Sequence, residues 1–206
     1  LPASTAQRIP IRLNLNDHYY IRKHEGIPQE GYSNLLQAMI DHPKIELRHD
    51  AFLDHRWCYK DLSKKVIYTG SIDEYFNYEF GLLSYRTLDI KAIHYPFDVL
   101  GSVAVNYTDD QPVTREICHN YWLPETVNDA KNYVITSETP RFTRGPKDLP
   151  MYPMRDISKA TDHYNKYAAL AARVPNVYFK GRLGEYTYRD MCPTVEAAWE
   201  FAKIVT

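Results

Sequence analysis

Glycine is scarce in this chain and widely scattered. Eight glycines stand at positions 26, 31, 70, 81, 101, 145, 181 and 184 of 206 residues. None falls into a G-x-G-x-x-G or a G-x-x-x-x-G-K-[ST] spacing, so the sequence holds no dinucleotide or P-loop fingerprint of its own. A surplus of either charge is also lacking. With 25 Lys and Arg against 26 Asp and Glu, the formal net charge is −1. That leaves no positive field for non-specific nucleic-acid binding. No apolar run approaches the roughly 18 residues that would span a bilayer, and no basic start followed by an apolar core marks a secretion signal. Three cysteines, Cys58, Cys118 and Cys192, lie far apart without a C-x-x-C. They read as free thiols in a reducing, cytoplasmic setting. The histidines form no H-E-x-x-H, and His42, His49 and His55 are loosely spaced with no carboxylate in a ligand pattern, so no metal is expected. A G-x-S-x-G elbow is missing, as is a signature for a cysteine nucleophile.

Tyrosine is abundant instead. Eighteen tyrosines stand against 7 phenylalanines and 3 tryptophans. A phenol combines a flat apolar face with a hydroxyl, which suits contacts with sugars, bases and phosphates. The alternative is a β-rich protein that uses tyrosine in its strands. Apolar alternation at Ile9, Ile11, Leu13 and Leu15 predicts a half-buried strand with Arg8 and Arg12 on one face. Residues 33–42 read as a helix with Ser33 as N-cap and Leu35, Leu36, Met39 and Ile40 as its apolar stripe, stopped by Pro43. A short strand is expected in "KIELRHD", then a strand at Val66–Thr69 and a short helix at Ile72–Phe76. Strands follow at 80–95, 102–108, 114–122 and 132–138, joined by turns, which predicts an antiparallel sheet. After the loop "FTRGPKDLPMYP" come a helix ended by Pro175, a short buried strand "NVYFKG", and a last helix. Val195, Ala198, Trp199 and Ala202 are expected on the inner face of that helix. The class is α+β, mostly antiparallel sheet flanked by helices.

The chemistry that remains lies in dispersed groups: Arg8 and Arg12; Tyr19 and Tyr20 in "NDHYY"; Arg115 in "VTREICH"; Tyr152 in "MYP"; and Arg182, Tyr188 and Asp190 in "GRLGEYTYRD". Guanidinium forks spread along a chain can converge on one polyanion such as a diphosphate; taken singly, a surface position is the commoner fate of an arginine. The order and wording of these groups carry a resemblance. "RIPIR", "NDHYY", "VIYTGSIDEYFNYEFGLLSYRTL", "VAVNYTD", "TREICH", "MYP" and "GRLGEYTYRDM" resemble the UDP-galactopyranose mutase family in its bacterial form, from about residue 7 to the end.

The resemblance implies a flavin-dependent isomerase that interconverts UDP-galactopyranose and UDP-galactofuranose. In it the N5 of reduced flavin attacks the anomeric carbon, expels UDP, and the ring recloses through another hydroxyl. It implies the sheet part of a three-domain flavoenzyme. Residues 1–155 would be the substrate-side domain, and 156–206 a helix, strand and terminal helix returning to an FAD domain. That FAD domain would lie upstream of Leu1, so the 206-residue chain is expected to be a C-terminal half, inactive alone and colourless.

Carried over by position, Arg8 and Arg115 are the catalytic arginines at the diphosphate. Tyr19, Tyr152 and Tyr188 would donate hydroxyls to phosphate oxygens, and Asn106 would contact substrate. Arg182 and Asp190 would lie around the FAD and the sugar. Val113 stands where the family has tyrosine, residues 118–122 replace its E-H-K-H-F, and Arg189 replaces the second tyrosine of Tyr-Tyr-Asp. These departures bear on sugar specificity. FAD is the implied cofactor and UDP-galactose the partner, with a homodimer allowed and neither nucleic acid nor membrane involved. Two alternatives are a non-catalytic UDP-sugar binding module and an amine-oxidase-like flavoprotein.

Overall fold

The computed structural model describes residues 13–15, 23–49, 63–122, 131–154 and 158–205. The chain divides into two compact units, residues 1–49 and 50–206.

In the first unit, α1 spans Gly31–Ile40. Ser33 is therefore inside the first turn rather than at the cap. The turn closed by Gly31 N–H donating to Pro28 O (2.9 Å) delivers the chain into the helix two residues early, with Glu30 at the cap position and no side-chain cap bond. The helix also ends before Pro43 can act, at Ile40. Its apolar stripe is not covered: Leu35, Leu36 and Met39 are exposed. The strand expected in "KIELRHD" is irregular at 45–48. The side chains pair locally there, Arg48 Nε donating to Glu46 Oε1 at 2.8 Å. Leu13, Asn14 and Leu15 form a bend with both leucines fully exposed, and the rest of the strand expected from Arg8 onward lies outside the described residues.

The second unit is built around an antiparallel sheet. Its strands are β2 (Tyr85–Tyr95), β3 (Ala104–Asn106), β4 (Arg115–Cys118), β5 (Tyr133–Phe142) and β6 (Tyr152–Pro153), in the order β3-β4-β5-β2-β6. The expected antiparallel sheet is thus present, with shifted ends. Residues 80–84 stay irregular, and His119–Trp122 closes into a 3-10 turn instead of extending β4. A second, two-stranded sheet was not anticipated. β1 (Val66–Tyr68) lies parallel to β7 (Val177–Phe179), Ile67 opposite Tyr178. Helices α2 (Ile72–Tyr75), α3 (Ser158–Ala171), α4 (Gly181–Gly184) and α5 (Met191–Val205) complete the unit. No helix among the described residues is long and apolar enough to cross a membrane.

Alternation explains which sheet face is buried. On β2 and β5 the buried positions are Tyr85, Thr87, Ile135 and Ser137, with Cys118 following on β4. Tyr85 joins Ile72, Leu83, Ala160, Tyr167 and Tyr186 in the main core, and Phe76, Tyr164, Phe179 and Leu183 pack around them. Four tyrosines in this region use their hydroxyls or edges as well as their faces. Tyr167 Oη donates to Gly81 O (2.6 Å) and accepts from Phe80 N–H (2.9 Å). Tyr186 Oη donates to Ser84 O at 2.5 Å. Tyr85 meets Tyr186 edge-on at 5.2 Å, and Tyr164 stacks on Tyr186 at 5.4 Å. The loop they hold contains Asn77, Tyr78 and Gly81 at positive φ, a backbone that needs outside support.

α5 corrects one expectation. Val195, Ala198, Trp199 and Ala202 are exposed, and the half-buried positions are Pro193, Thr194, Ala197, Phe201 and Val205. Apolar residues run most of the way round this helix, so periodicity alone could not select a face. The choice is made by Phe201, which meets Tyr178 edge-on at 5.3 Å and lies under Lys180 Nζ at 4.5 Å.

Tyr167→Phe should remove two hydrogen bonds from a buried loop and cost about 1–3 kcal/mol. Thermal unfolding checks this, and an unchanged Tm would mean the loop is held by other contacts. A second expectation concerns acid. Arg141 donates from Nη1 (2.8 Å) and Nη2 (2.9 Å) to Asp148, and Arg144 N–H adds a bond. These bonds, Arg141 first, lower Asp148 from its ordinary 3.8 to about 2. A carboxylate lowered on folding stabilises the fold above its unfolded pKa and loses that contribution as pH falls through the folded one. Asp148→Asn should therefore be less stable at neutral pH and show a flatter fall in stability between about pH 4 and 2. An acid limb identical to the parent's would remove Asp148 from that role.

Candidate functional site

The register of the sheet decides which polar side chains share a face. Asn106 lies opposite Arg115, Arg115 opposite Glu138, and Glu138 opposite Ile90. Two and four residues back along β2 stand Leu88 and Arg86, and Arg86 lies opposite Tyr152. Directly opposed residues in antiparallel strands share a face, as do residues two apart. Asn106, Arg115, Glu138, Arg86 and Tyr152 therefore occupy one face of the sheet, opposite to the face that carries Tyr85, Thr87 and Ile135. It is the more open face: Ile90, Arg86 and Phe142 are exposed on it.

Two clusters sit on or beside this face. In the first, Arg115 Nε donates to Asn106 Oδ1 at 2.8 Å, and Arg115 Nη1 lies 3.9 Å from Glu138 Oε2. β3 and β4 hold this pair in place because the turn through 107–114 brings Asn106 and Arg115 into direct register. The second cluster is a stack. The Tyr152 and Tyr188 rings lie 6.0 Å apart and nearly parallel, and the Arg182 guanidinium sits 5.4 Å from one ring and 5.0 Å from the other. Arg182 is fixed by backbone carbonyls: Nη1 donates to Met151 O (3.2 Å), and Nε and Nη2 donate to Arg189 O (3.2 and 2.5 Å). Tyr188 Oη donates to Asp190 Oδ1 at 3.2 Å. Across the strands, β4 and β6 are three spacings apart, about 14 Å, with a similar offset along them.

α4 brings the stack into position. Gly181 enters it at φ +78, and a Cβ at buried Gly184 would lie 3.0 Å from Tyr68 O and 3.2 Å from Phe179 C. The two glycines of "GRLGEYTYRD" thus let the chain turn sharply against β1 and β7 and present Arg182 and Tyr188 to Tyr152. Glu185 is bridged by Lys180 (3.5 Å) and by Arg189, which closes the other side of the segment.

The structure therefore brings together Arg115 with Asn106, and Arg182 with Tyr152, Tyr188 and Asp190. Arg8 and Tyr19 lie outside the described residues. Sequence reasoning passed over Arg86 and Glu138, single charges within strands. The signal that finds them is register: both share the face of Arg115 and Tyr152, and Arg86 lies 5.2 Å from the Phe142 ring. Among the described residues no group of three or more His, Cys, Asp and Glu could hold a metal ion.

Arg182→Lys keeps the charge but loses the planar fork that bonds two carbonyls and lies against two rings. It should cost about 1–3 kcal/mol and alter the near-ultraviolet dichroism of the tyrosines. A spectrum identical to the parent's would show that Arg182 does not order the rings.

A family model for UDP-galactopyranose mutase matches residues 1–188. The chain is 35% identical over 212 residues to dTDP-fucopyranose mutase of Escherichia coli, covering 99% of this chain and 55% of that protein. It is 36% identical to a probable UDP-galactopyranose mutase of Klebsiella pneumoniae, covering 98% of this chain and 51% of that one. A UDP-galactopyranose mutase of Mycoplasma pneumoniae is 30% identical, with 91% and 50% covered. The chain spans about half the length of these curated relatives. A match across most of the chain, with "GRLGEYTY" inside it, places this chain in the UDP-galactopyranose mutase family.

Proposed function

We propose that this chain is the sheet-bearing part of a flavin-dependent mutase that interconverts the pyranose and furanose forms of a nucleoside-diphosphate galactose. In this reading residues 1–155 carry the substrate side, and 156–206 return toward a cofactor domain. The observation that carries the reading is the shared open face. Asn106 and Arg115 are hydrogen-bonded to each other on it, and Tyr152 stands on the same face with Arg182 and Tyr188 stacked against it. An extended nucleotide-sugar lying along that face meets both clusters. A family match that names UDP-galactopyranose mutase supports the substrate class. One relative is named for a dTDP-sugar, which leaves the nucleobase and sugar to the residues that depart from the family pattern, Val113 and Arg189 among them.

The residues present fit a flat, phosphate-bearing cofactor such as FAD. Two near-parallel phenols with a guanidinium beside both offer stacking surface, and Asp190 next to Tyr188 offers an acceptor. Arg182 and Asp190 would hold it; Arg182 gives three of its donor contacts to backbone carbonyls and keeps two N–H groups for a ligand. When bound, reduced FAD supplies the nucleophile for the anomeric carbon.

This chain's own part is electrostatic. Breaking the anomeric C–O bond places charge on the departing diphosphate. A guanidinium held on a strand, its Nε anchored to Asn106, is already aimed when that charge develops and needs no reorganisation. Arg8 is proposed to supply the second guanidinium. Tyr19 is proposed to donate its hydroxyl to the phosphate oxygens, and Tyr152 and Tyr188 to reach them from the second cluster, Tyr188 by turning its O–H away from Asp190. Because these interactions are stronger toward the leaving diphosphate than toward the intact ester, they lower the barrier rather than merely tightening binding.

Arg115→Ala in the complete enzyme should lower kcat for ring interconversion about 10²–10³-fold, the loss typical of one charge-stabilising donor. Product formation from UDP-galactofuranose, followed by chromatography, checks this. Near-parental turnover would remove Arg115 from the role and with it the open-face reading.

A further inference from the structure

Tyr152 has little ladder of its own. Its strand β6 is two residues long and pairs with β2 at Tyr85 and Arg86. The chain arrives there from β5, on the opposite side of β2, through residues 143–151. Arg86 pairs with Phe142 on one side and Tyr152 on the other, so this connection crosses the N-terminal end of β2. Its ends are tied to the backbone of β2. Thr143 N–H donates to Tyr85 O at 3.0 Å, and Met151 N–H donates to Arg86 O at 3.1 Å. Its middle is tied by the side chain of Arg141. We propose that Arg141, paired with both Asp148 and Asp89, is a positioning residue for the Tyr152–Arg182–Tyr188 stack, and so for the phosphates of a nucleotide-sugar bound beside it. The ligand half of this rests on the mutase reading; the placing of Tyr152 does not.

Arg141 works from the far side of the sheet. It lies opposite Thr87, on the face away from Tyr152, so a ligand on the open face does not meet it. Its Nε donates to both oxygens of Asp89 on β2, at 2.9 and 3.0 Å. Nη1 and Nη2 donate side by side to Asp148 Oδ2 and Oδ1, at 2.8 and 2.9 Å. Nη1 also reaches Phe142 O at 3.2 Å. Asp148 in turn organises the connection: its Oδ2 accepts Arg144 N–H at 2.6 Å, and its N–H donates to Gly145 O at 3.1 Å. One planar fork thus joins β2, the end of β5 and the turn at 145–148.

A lone ion pair at a surface is worth little, but a bidentate fork within a network is the exception. The Arg141 and Asp148 side chains are mostly covered, at 23% and 21% exposed. The fork bears on the stack through the backbone. From Asp148 the chain runs three residues to Met151, and Pro150 on the way restricts its path. Met151 O accepts from Arg182 Nη1 at 3.2 Å, and the Tyr152 ring that follows lies 5.4 Å from the same guanidinium. The other anchors of Arg182, namely Arg189 O and the Tyr188 ring, come from its own segment. Freeing the connection therefore shifts Tyr152 and leaves Tyr188 against Arg182. Lysine is no substitute at position 141, because a single ammonium cannot serve two carboxylates with a planar fork.

The test uses the complete enzyme labelled with fluorotyrosine, with the Tyr152 and Tyr188 fluorine resonances assigned from Tyr152→Phe and Tyr188→Phe. In Arg141→Gln the Tyr152 resonance should move or broaden while that of Tyr188 changes less. Arg141→Lys should behave like Arg141→Gln. Asp148→Asn breaks the same arm and serves should Arg141→Gln fail to fold. Affinity for UDP, measured by calorimetry, should fall about tenfold in Arg141→Gln and fall no further when Tyr152→Phe is added. A Tyr152 resonance unmoved in both Arg141→Gln and Asp148→Asn overturns the positioning role. Losses of UDP affinity that add across Arg141→Gln and Tyr152→Phe overturn the claim that Arg141 acts through Tyr152. A moved resonance with UDP affinity unchanged in every variant upholds the placing of Tyr152 and overturns the ligand half, a failure of the mutase reading alone.

Discussion

Much of the second unit depends on buried phenols that bond to backbone. The stretch 77–84 joins α2 to β2 and contains three positive-φ residues. Such a segment exposes carbonyls and amides that a core must satisfy. Tyr167 from α3 and Tyr186 after α4 reach it with their hydroxyls, at Phe80, Gly81 and Ser84. Both are completely buried. Phenylalanine would fill the same volume but leave those groups unpaired, so part of the tyrosine excess has a structural use. The hydroxyls tie α3 and the α4 turn to the start of β2, and β2 in turn sets the register of the whole sheet.

That register has a functional consequence. One face carries the buried positions Tyr85, Thr87, Ile135 and Ser137, and its Tyr85 end joins the tyrosine core. The other is left with Arg86, Asn106, Arg115, Glu138 and Tyr152, residues spread from position 86 to position 152 of the sequence. Because side chains alternate along a strand, a one-residue slip of β5 against β2 would exchange the two faces. The ten paired positions between Arg86 and Tyr95 on β2 and Tyr133 and Phe142 on β5 guard against it. The candidate site is therefore a by-product of the same ladder that builds the core. The Arg182 stack is added by a turn that only the two glycines of α4 permit.

Legibility in the sequence followed the kind of signal involved. Alternation predicted β2 to β5 well, since it is local. Cap and boundary positions were less accurate, because Ser33 and the turn at Gly31 compete for the start of α1 and only the turn's hydrogen bond settles it. The face of α5 was misread because its apolar residues nearly encircle it. Arg115, Asn106, Tyr152, Arg182, Tyr188 and Asp190 were singled out by wording that resembles a family. Arg86 and Glu138 carry no such local mark and become visible only through cross-strand pairing.

By itself, then, the sequence determined the class of fold, the antiparallel hairpins and the family. These follow from patterns a few residues long or from motifs that remain contiguous. The tertiary structure decided the parallel pairing of β1 with β7, more than a hundred residues apart, the exposed side of α5, and the joining of Tyr152 to Tyr188 through Arg182. It also decided that Arg141 joins Asp89 of β2 to Asp148. Each of these depends on which distant segments pack together, and packing energy is a property of the assembled chain that no short window of sequence contains.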